Sequence, residues 1–382
     1  MKTRSILAIL TLILGMSAVS SCCNGSCCKD DRAKYIFLFI GDGMGMSHVA
    51  VTESYISHKA GKLGSEQLTM TSFPYFGSAT THSANKNVTC SAASGTAIAC
   101  GEKTNNGMIG MNKDSVALRS VATELKEDGY KIGIISTVPV NHATPSAFYA
   151  HNIRRGNGYE ICQEIPSSRF EFFASSGFLQ FKGKNGDLQP IDTYLEENGY
   201  NVCYGLGEFN AEVETAEKMV LCQFSAKEKD ADNYVSDAEY EQNLGLADML
   251  KAGMTFLGDD KPFFFMCEGG RIDWEAHENN LMPMINEILD FDQAIRFAYE
   301  FYQQHPDQTL IVVTADHETG GVSLGTGSRT IKWDEPNAGG TIGWTNTDHT
   351  GGPVPVYAIG KGAEKFNGRM DNTDIKGKIL CR

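Results

Sequence analysis

The chain of 382 residues lacks an excess of basic charge. Lys and Arg number 33 against 47 Asp and Glu, for a net charge of −14. No basic patch is therefore available to neutralise a nucleic-acid backbone, and that class of partner is excluded. The sequence also lacks internal repeats, low-complexity linkers and any apolar run long enough to cross a bilayer stably. Seven of its cysteines (Cys90, Cys100, Cys162, Cys203, Cys222, Cys267 and Cys381) are scattered without metal-ligand spacing. In an oxidising compartment some can pair; Cys162, Cys203 and Cys222, in one middle region, are the best placed. The acidity is at odds with an anionic substrate unless bound cations reverse the field locally.

What is there begins with an export signal. Lys2 and Arg4 precede the short apolar stretch Ile6–Met16, and residues 1–21 end in Val19-Ser-Ser-Cys22, which resembles a bacterial lipobox. Cleavage before Cys22 would leave an acylated tether, residues 22–33, carrying Cys22, Cys23, Cys27 and Cys28. The expectation is a cell-envelope protein held to the membrane by lipid alone, on the periplasmic face or the outer surface. The alternative is an ordinary signal peptide followed by a cysteine-rich metal or disulfide knot.

Residues 34–382 read as one catalytic-sized α/β domain. Tyr35–Ile40 is a continuous apolar run, as expected of a strand buried on both faces. Lys131–Ser136, Pro262–Met266, Thr309–Thr314 and Val354–Ile359 are four more. Helical patterns lie from about Ser47, over Val116–Asp128, over Tyr240–Leu257 and over Pro283–Tyr302. This alternation predicts a mostly parallel central sheet covered by helices on both faces. Residues 159–235 and 320–346 are less regular and read as peripheral elaborations.

The stretch Val88–Gly107 is almost free of bulky side chains before Ile98. It can be a small-residue helix packed against a sheet, or a strand-to-helix junction with Ser91 as cap and nucleophile. A serine needs a base or a metal to become nucleophilic. No histidine stands in this stretch, so the help must come from elsewhere. Ligands collect beyond the carboxyl ends of strands in such sheets, and each apolar run here empties into acids, histidines or both. Asp42 follows the first, Asn141-His-Ala-Thr-Pro145 the second, and Glu268 to His277 the third. Thr314-Ala-Asp-His-Glu318 follows the fourth, and Thr347-Asp-His-Thr-Gly351 precedes the last. One such residue is usually a loop cap; five coinciding at one edge form a hard and borderline ligand set suited to zinc beside magnesium.

Gly41-Asp-Gly-Met-Gly45, Thr89-Cys-Ser-Ala-Ala-Ser94, the His-Ala-Thr-Pro run, Glu268-Gly-Gly-Arg-Ile-Asp273 with His277, Thr-Ala-Asp-His and the late His-Thr-Gly together resemble alkaline phosphatase, in that family's chain order. The resemblance implies a three-layer sandwich and phosphate monoester hydrolysis through a phosphoseryl intermediate on Ser91. It implies one zinc on Asp273, His277 and His349, a second on Asp42, Asp316 and His317, and magnesium on Asp42, Thr144 and Glu268. It gives Arg155, or its neighbour Arg154, the task of holding two phosphate oxygens. A short stretch between Arg155 and Glu268 implies a reduced crown insertion, and the family pattern implies a homodimer. Cys90 replaces an aspartate common before the nucleophile, which leaves Arg155 without an ion-pair partner and more mobile. His142 and Trp274 stand where many members have aspartate and lysine, around the magnesium and the phosphate. His48, His58, His82, His151 and His305 match no motif and read as surface or packing residues. A sulfatase is disfavoured because Cys90-Ser-Ala-Ala-Ser94 lacks the Pro and Arg of that motif. A phosphodiesterase and a silent phosphate-binding lipoprotein are the alternatives.

Overall fold

The computed structural model describes residues 31–64, 66–223, 244–325, 333 and 341–382. The signal, most of the tether and its four cysteines lie outside the described residues. So do residues 224–243, where the expected Tyr240–Leu257 helix would begin.

One sheet of ten strands runs through the molecule. In chain order they are β1 Tyr35–Gly41, β2 Tyr75–Thr80, β3 Lys131–Ser136, β4 Phe172–Ser175, β5 Asn201–Tyr204, β6 Met219–Cys222, β7 Phe263–Gly269, β8 Thr309–Thr314, β9 Val354–Gly360 and β10 Gly368–Asp371. The spatial order is β10-β2-β9-β8-β1-β7-β3-β4-β6-β5. All pairings are parallel except those of β9, which runs antiparallel to both β2 and β8. Every residue of β1 and of β7 is buried, because β1 lies between β7 and β8 at the centre of the sheet. Phe37 and Phe265 stack at 6.0 Å between centroids, and Phe37 meets Phe263 edge-on at 5.3 Å. Each such ring contributes about 1.5–3 kcal/mol by leaving water.

Five helices matter for the site. They are α1 Met46–Lys59, α2 Ser91–Cys100, α3 Leu246–Leu257, α4 Arg271–His277 and α5 Leu281–Gln304. The helix expected over Val116–Asp128 spans only Val121–Glu127, because Ser120 caps it by accepting the Thr123 N–H at 3.0 Å. Ahead of the cap, Met111 and Ala117 form an isolated bridge.

The region expected to be a peripheral elaboration contributes more than that: β4, β5 and β6 extend the sheet to its far edge. The seven cysteines are free thiols, so the expected pairing among Cys162, Cys203 and Cys222 is not made. Cys203 is in register with Leu221, and Tyr204 with Cys222. Neighbouring residues on a strand face opposite sides, so the two cysteines of these paired strands point apart.

Helix α2 is buried at all ten positions. Its small residues permit close approach: a Cβ on Gly95 would come within 3.3 Å of the Thr144 Cα. Residues 372–382 return to it. Asn372 donates to Ser94 Oγ at 2.8 Å, Ser94 Oγ donates to the Asp316 carbonyl at 2.5 Å, and Lys376 Nζ reaches the Cys100 carbonyl at 3.3 Å.

Candidate active site

Parallel strands bring their carboxyl ends to one edge, and the acids found there follow from the topology. Asp42 leaves β1, Glu268 closes β7, and Asp316 and His317 leave β8. His349 precedes its strand rather than following it because β9 is antiparallel, so β9 starts where its neighbour β8 ends. Asp273 and His277 come from α4, one helical turn apart. The turn at Asp42 is tight. Gly43 has a φ of +72°, and a Cβ there would lie 2.8 Å from Thr319 Oγ1 and 3.0 Å from Asp273.

Two clusters of donor atoms result. In the outer one, Asp273 Oδ2 lies 3.4 Å from His277 Nε2, Asp273 Oδ1 lies 3.5 Å from His349 Nε2, and the two Nε2 atoms are 3.2 Å apart. In the inner one, His317 Nε2 lies 3.2 Å from Asp42 Oδ1 and 3.3 Å from Asp316 Oδ2. Bonds of about 2.0–2.1 Å to a tetrahedral ion put its ligand atoms roughly 3.3–3.4 Å apart. Both clusters have that spacing.

The tautomers agree with a cation rather than with hydrogen bonds. His277 Nδ1 contacts the Thr347 carbonyl at 2.7 Å, and His349 Nδ1 the Thr89 carbonyl at 2.9 Å. Carbonyls only accept, so both Nδ1 atoms carry protons and the Nε2 lone pairs face each other. Something positive must lie between them. Hydrogen bonding to Asp273, opposed by partial burial, raises His277 to about 9. Burial alone would raise Asp273, but His277, His317 and His349 around it hold it below the usual carboxylate range.

Deeper in, both oxygens of Asp42, one of Asp316 and one of Glu268 are buried without a hydrogen-bond partner. Orphaned buried carboxylates are costly unless a cation joins them. Burial and mutual repulsion push Glu268 up to about 8, Asp316 up to about 7, and Asp42 well above its ordinary value. Ser136 donates to Glu268 and lowers it, while the buried Thr144 hydroxyl has no hydrogen-bond partner. Asp42, Glu268 and His142 form a further group whose donor atoms lie within 4.8 Å of one another.

Ser91 Oγ is 3.3 Å from His317 Nε2, beside the inner cluster. The serine is not the helix cap, as expected from the sequence, but the first residue of α2; Cys90 occupies the cap position, with no side-chain cap bond. Cys90 Sγ instead accepts the Gly107 N–H at 3.1 Å, and the Gly107 carbonyl accepts the Arg155 N–H at 2.8 Å. Arg155 Nη2 reaches His142 Nε2 at 2.9 Å, whereas Arg154 is exposed. Arg155 therefore has a side-chain partner despite the missing aspartate.

Guanidinium groups only donate, so Nε2 of His142 is the acceptor and its proton is on Nδ1, which has no partner. Burial first, then Arg155, lowers His142 to about 3, so the ring is neutral. Trp274 meets this ring edge-on at 5.8 Å and also lies beneath the Arg271 guanidinium at 5.5 Å. Of the histidines outside the motifs, His48 is fully buried, 3.6 Å from Glu318, and His151 bridges Glu164 at 3.2 Å and the Leu118 carbonyl at 2.8 Å.

A residue the sequence reading passed over is Thr319. It is fully buried, it donates to Asp273 Oδ1 at 2.5 Å, and it contacts His317 Nδ1 at 3.2 Å. Its position two residues after His317 was the only available signal.

The family profile for alkaline phosphatase matches residues 33–171 and 228–338. The chain belongs to the alkaline phosphatase family. Alkaline phosphatase 4 of Bacillus subtilis (strain 168) is 29% identical over 419 residues, spanning 91% of this chain and 88% of that one. The structure of alkaline phosphatase from the Antarctic bacterium TAB5 superposes with a TM-score of 0.79 at 32% identity, covering 91% of this chain and 97% of that one. A histidine-to-aspartate variant of the TAB5 enzyme has magnesium bound in a site designated M3. The sheet, the helices and the relatives agree on an alkaline phosphatase-like α/β sandwich and a phosphoric monoester hydrolase.

Proposed function

We propose that this alkaline phosphatase hydrolyses phosphate monoesters by way of a phosphoseryl intermediate on Ser91. The observation that carries this reading is the Ser91 hydroxyl lying 3.3 Å from His317 Nε2, next to carboxylates left without donors. Asp273, His277 and His349 would hold one zinc, and Asp42, Asp316 and His317 the other. Two such ions would lower the pKa of the serine and of water and clamp the attacking and leaving oxygens.

The chain's own residues do the rest. Ser91 Oγ bonds to phosphorus as the ester oxygen leaves as the alcohol, the serine proton passing by way of solvent to that alcohol; water then displaces Oγ from the opposite side, giving inorganic phosphate and returning a proton to Ser91. His317 Nε2 is committed to the inner cluster, so it orients rather than serving as a general base. Arg155 presents a guanidinium fork to phosphate oxygens, and His142 occupies one of its N–H donors.

The third position, Asp42, Thr144 and Glu268, fits a hard divalent ion. An aspartate at 142 could accept hydrogen bonds from water on magnesium; His142 has spent its only acceptor on Arg155, so the support magnesium needs from beyond its ligands is weak. We take the magnesium in the TAB5 variant as consistent with that. His142→Asp should raise magnesium affinity, and equal affinities in the two proteins would overturn this part.

The lipid anchor at Cys22 in the cell envelope and a homodimer belong to the same proposal. Membrane partition of wild type against Cys22→Ala, and sedimentation of the soluble domain, test them. The reaction itself is tested by comparing a chromogenic monoester with a diester, with zinc and magnesium present. Preferential turnover of the diester would overturn the reading.

A further inference from the structure

Thr319 touches both clusters with one hydroxyl group. It lies in a two-residue ladder in which Thr319 pairs with His349, one of the outer ligands, and its N–H donates to the Gly43 carbonyl at 3.1 Å. From this backbone the side chain sits between Asp273 of the outer cluster and His317 of the inner one. A hydroxyl has one proton to give. At 2.5 Å from Asp273 Oδ1 that proton goes to the carboxylate, so a lone pair is left for His317 Nδ1 at 3.2 Å. His317 Nδ1 must then carry the ring proton, which leaves Nε2 bare toward Asp42, Asp316 and Ser91.

We infer that Thr319 is a positioning residue that couples the two zinc sites. This rests on the two-metal reading above. The relay works in both directions. An ion on the outer cluster fixes the Asp273 carboxylate, which fixes the hydroxyl proton and, through it, the His317 tautomer that the inner ion needs. An ion on His317 Nε2 makes Nδ1–H a stronger donor, which polarises the hydroxyl and strengthens its bond to Asp273. Coupling of this kind is reciprocal by thermodynamic necessity.

The test is calorimetric titration of the metal-free full-length protein with zinc, magnesium in excess. Wild type should take up two zinc ions in a single transition. Thr319→Val keeps the shape and removes the hydroxyl. It should split uptake into two transitions, each weaker by about 10–100-fold, while Thr319→Ser should restore the single one. A purely structural role would lower Tm in the variants without separating the transitions. If Thr319→Val loads like wild type, or if only one site weakens, the coupling is refuted. Should Thr319→Val not fold, Thr319→Cys offers a weak thiol donor at the same place, and loading indistinguishable from wild type would refute the inference equally. A wild type that binds no zinc would instead overturn the two-metal reading itself.

Discussion

The two clusters differ in how they face solvent. The side chains of the inner pair Asp42 and His317 have no exposed surface, whereas His277 keeps 32% of its side chain exposed and His349 11%. Their anchoring differs too. The outer imidazoles are steadied by carbonyls of loops, Thr347 and Thr89, while the inner cluster stands on the ends of β1 and β8, the centre of the sheet. Loops open locally at lower cost than central strands. On the proposed two-metal reading, an ion at the outer cluster would exchange more readily than one at the inner cluster.

The bluntest test of this contrast is to remove any metal the two clusters hold. Exhaustive chelation should reduce hydrolysis to background, with zinc and magnesium together restoring it; activity persisting without metal would refute the two-metal reading. Next, Ser91→Ala should cost roughly a thousandfold or more in kcat while zinc content, measured by elemental analysis, stays at the wild-type level. Phosphoenzyme labelling in that variant would mean another nucleophile. Arg155→Ala should cost about 10–100-fold in kcat/KM, on the scale of one or two charge-assisted hydrogen bonds; Arg154→Ala should cost far less, because Arg154 is exposed. Timed chelation sharpens the comparison itself: zinc should leave in two phases, and His277→Asn should speed only the first. A single phase in wild type would mean that exposure does not govern exchange.

The smallest effect lies outside both clusters. His151 is raised by its bond to Glu164, against partial burial, and it precedes the segment that carries Arg155. A folded pKa above the unfolded value of about 6.5 gives stability that is fully present below that value and is lost as pH rises through the folded one. His151→Ala should therefore lower Tm more at pH 6 than at pH 9. An equal drop at both would show that packing, and not the charge, is what His151 contributes.

What the sequence disclosed follows the same division. β1, β3, β7, β8 and β9 were legible because buried strands are continuous apolar runs, and the clustered acids and histidines were legible because they stand at the ends of such runs. β2 reads Tyr-Phe-Gly-Ser-Ala-Thr and is only partly buried, so it has no such run. β4, β5 and β6 are four residues each, too short for any period to show. The direction of β9 is also invisible to a burial pattern, which is the same for parallel and antiparallel neighbours. Thr319 and the His142–Arg155 contact depend on which side chains meet across elements far apart in the chain, and no local pattern encodes that. The cysteine pairing failed for the same reason.

Residues 372–382 brace the helix that presents Ser91, through Asn372 to Ser94 and Lys376 to the end of that helix. Ser94 in turn holds the carbonyl of Asp316. During synthesis the chain emerges from its N-terminal end, so the nucleophile's helix leaves the ribosome long before its brace does. A nascent chain halted ahead of residue 372 would carry Ser91 and the clustered acids and histidines, and would still lack the Asn372 and Lys376 contacts to the Ser91 helix. The placing of Ser91 against Asp316 thus leans on contacts from a segment more than 270 positions further along the chain.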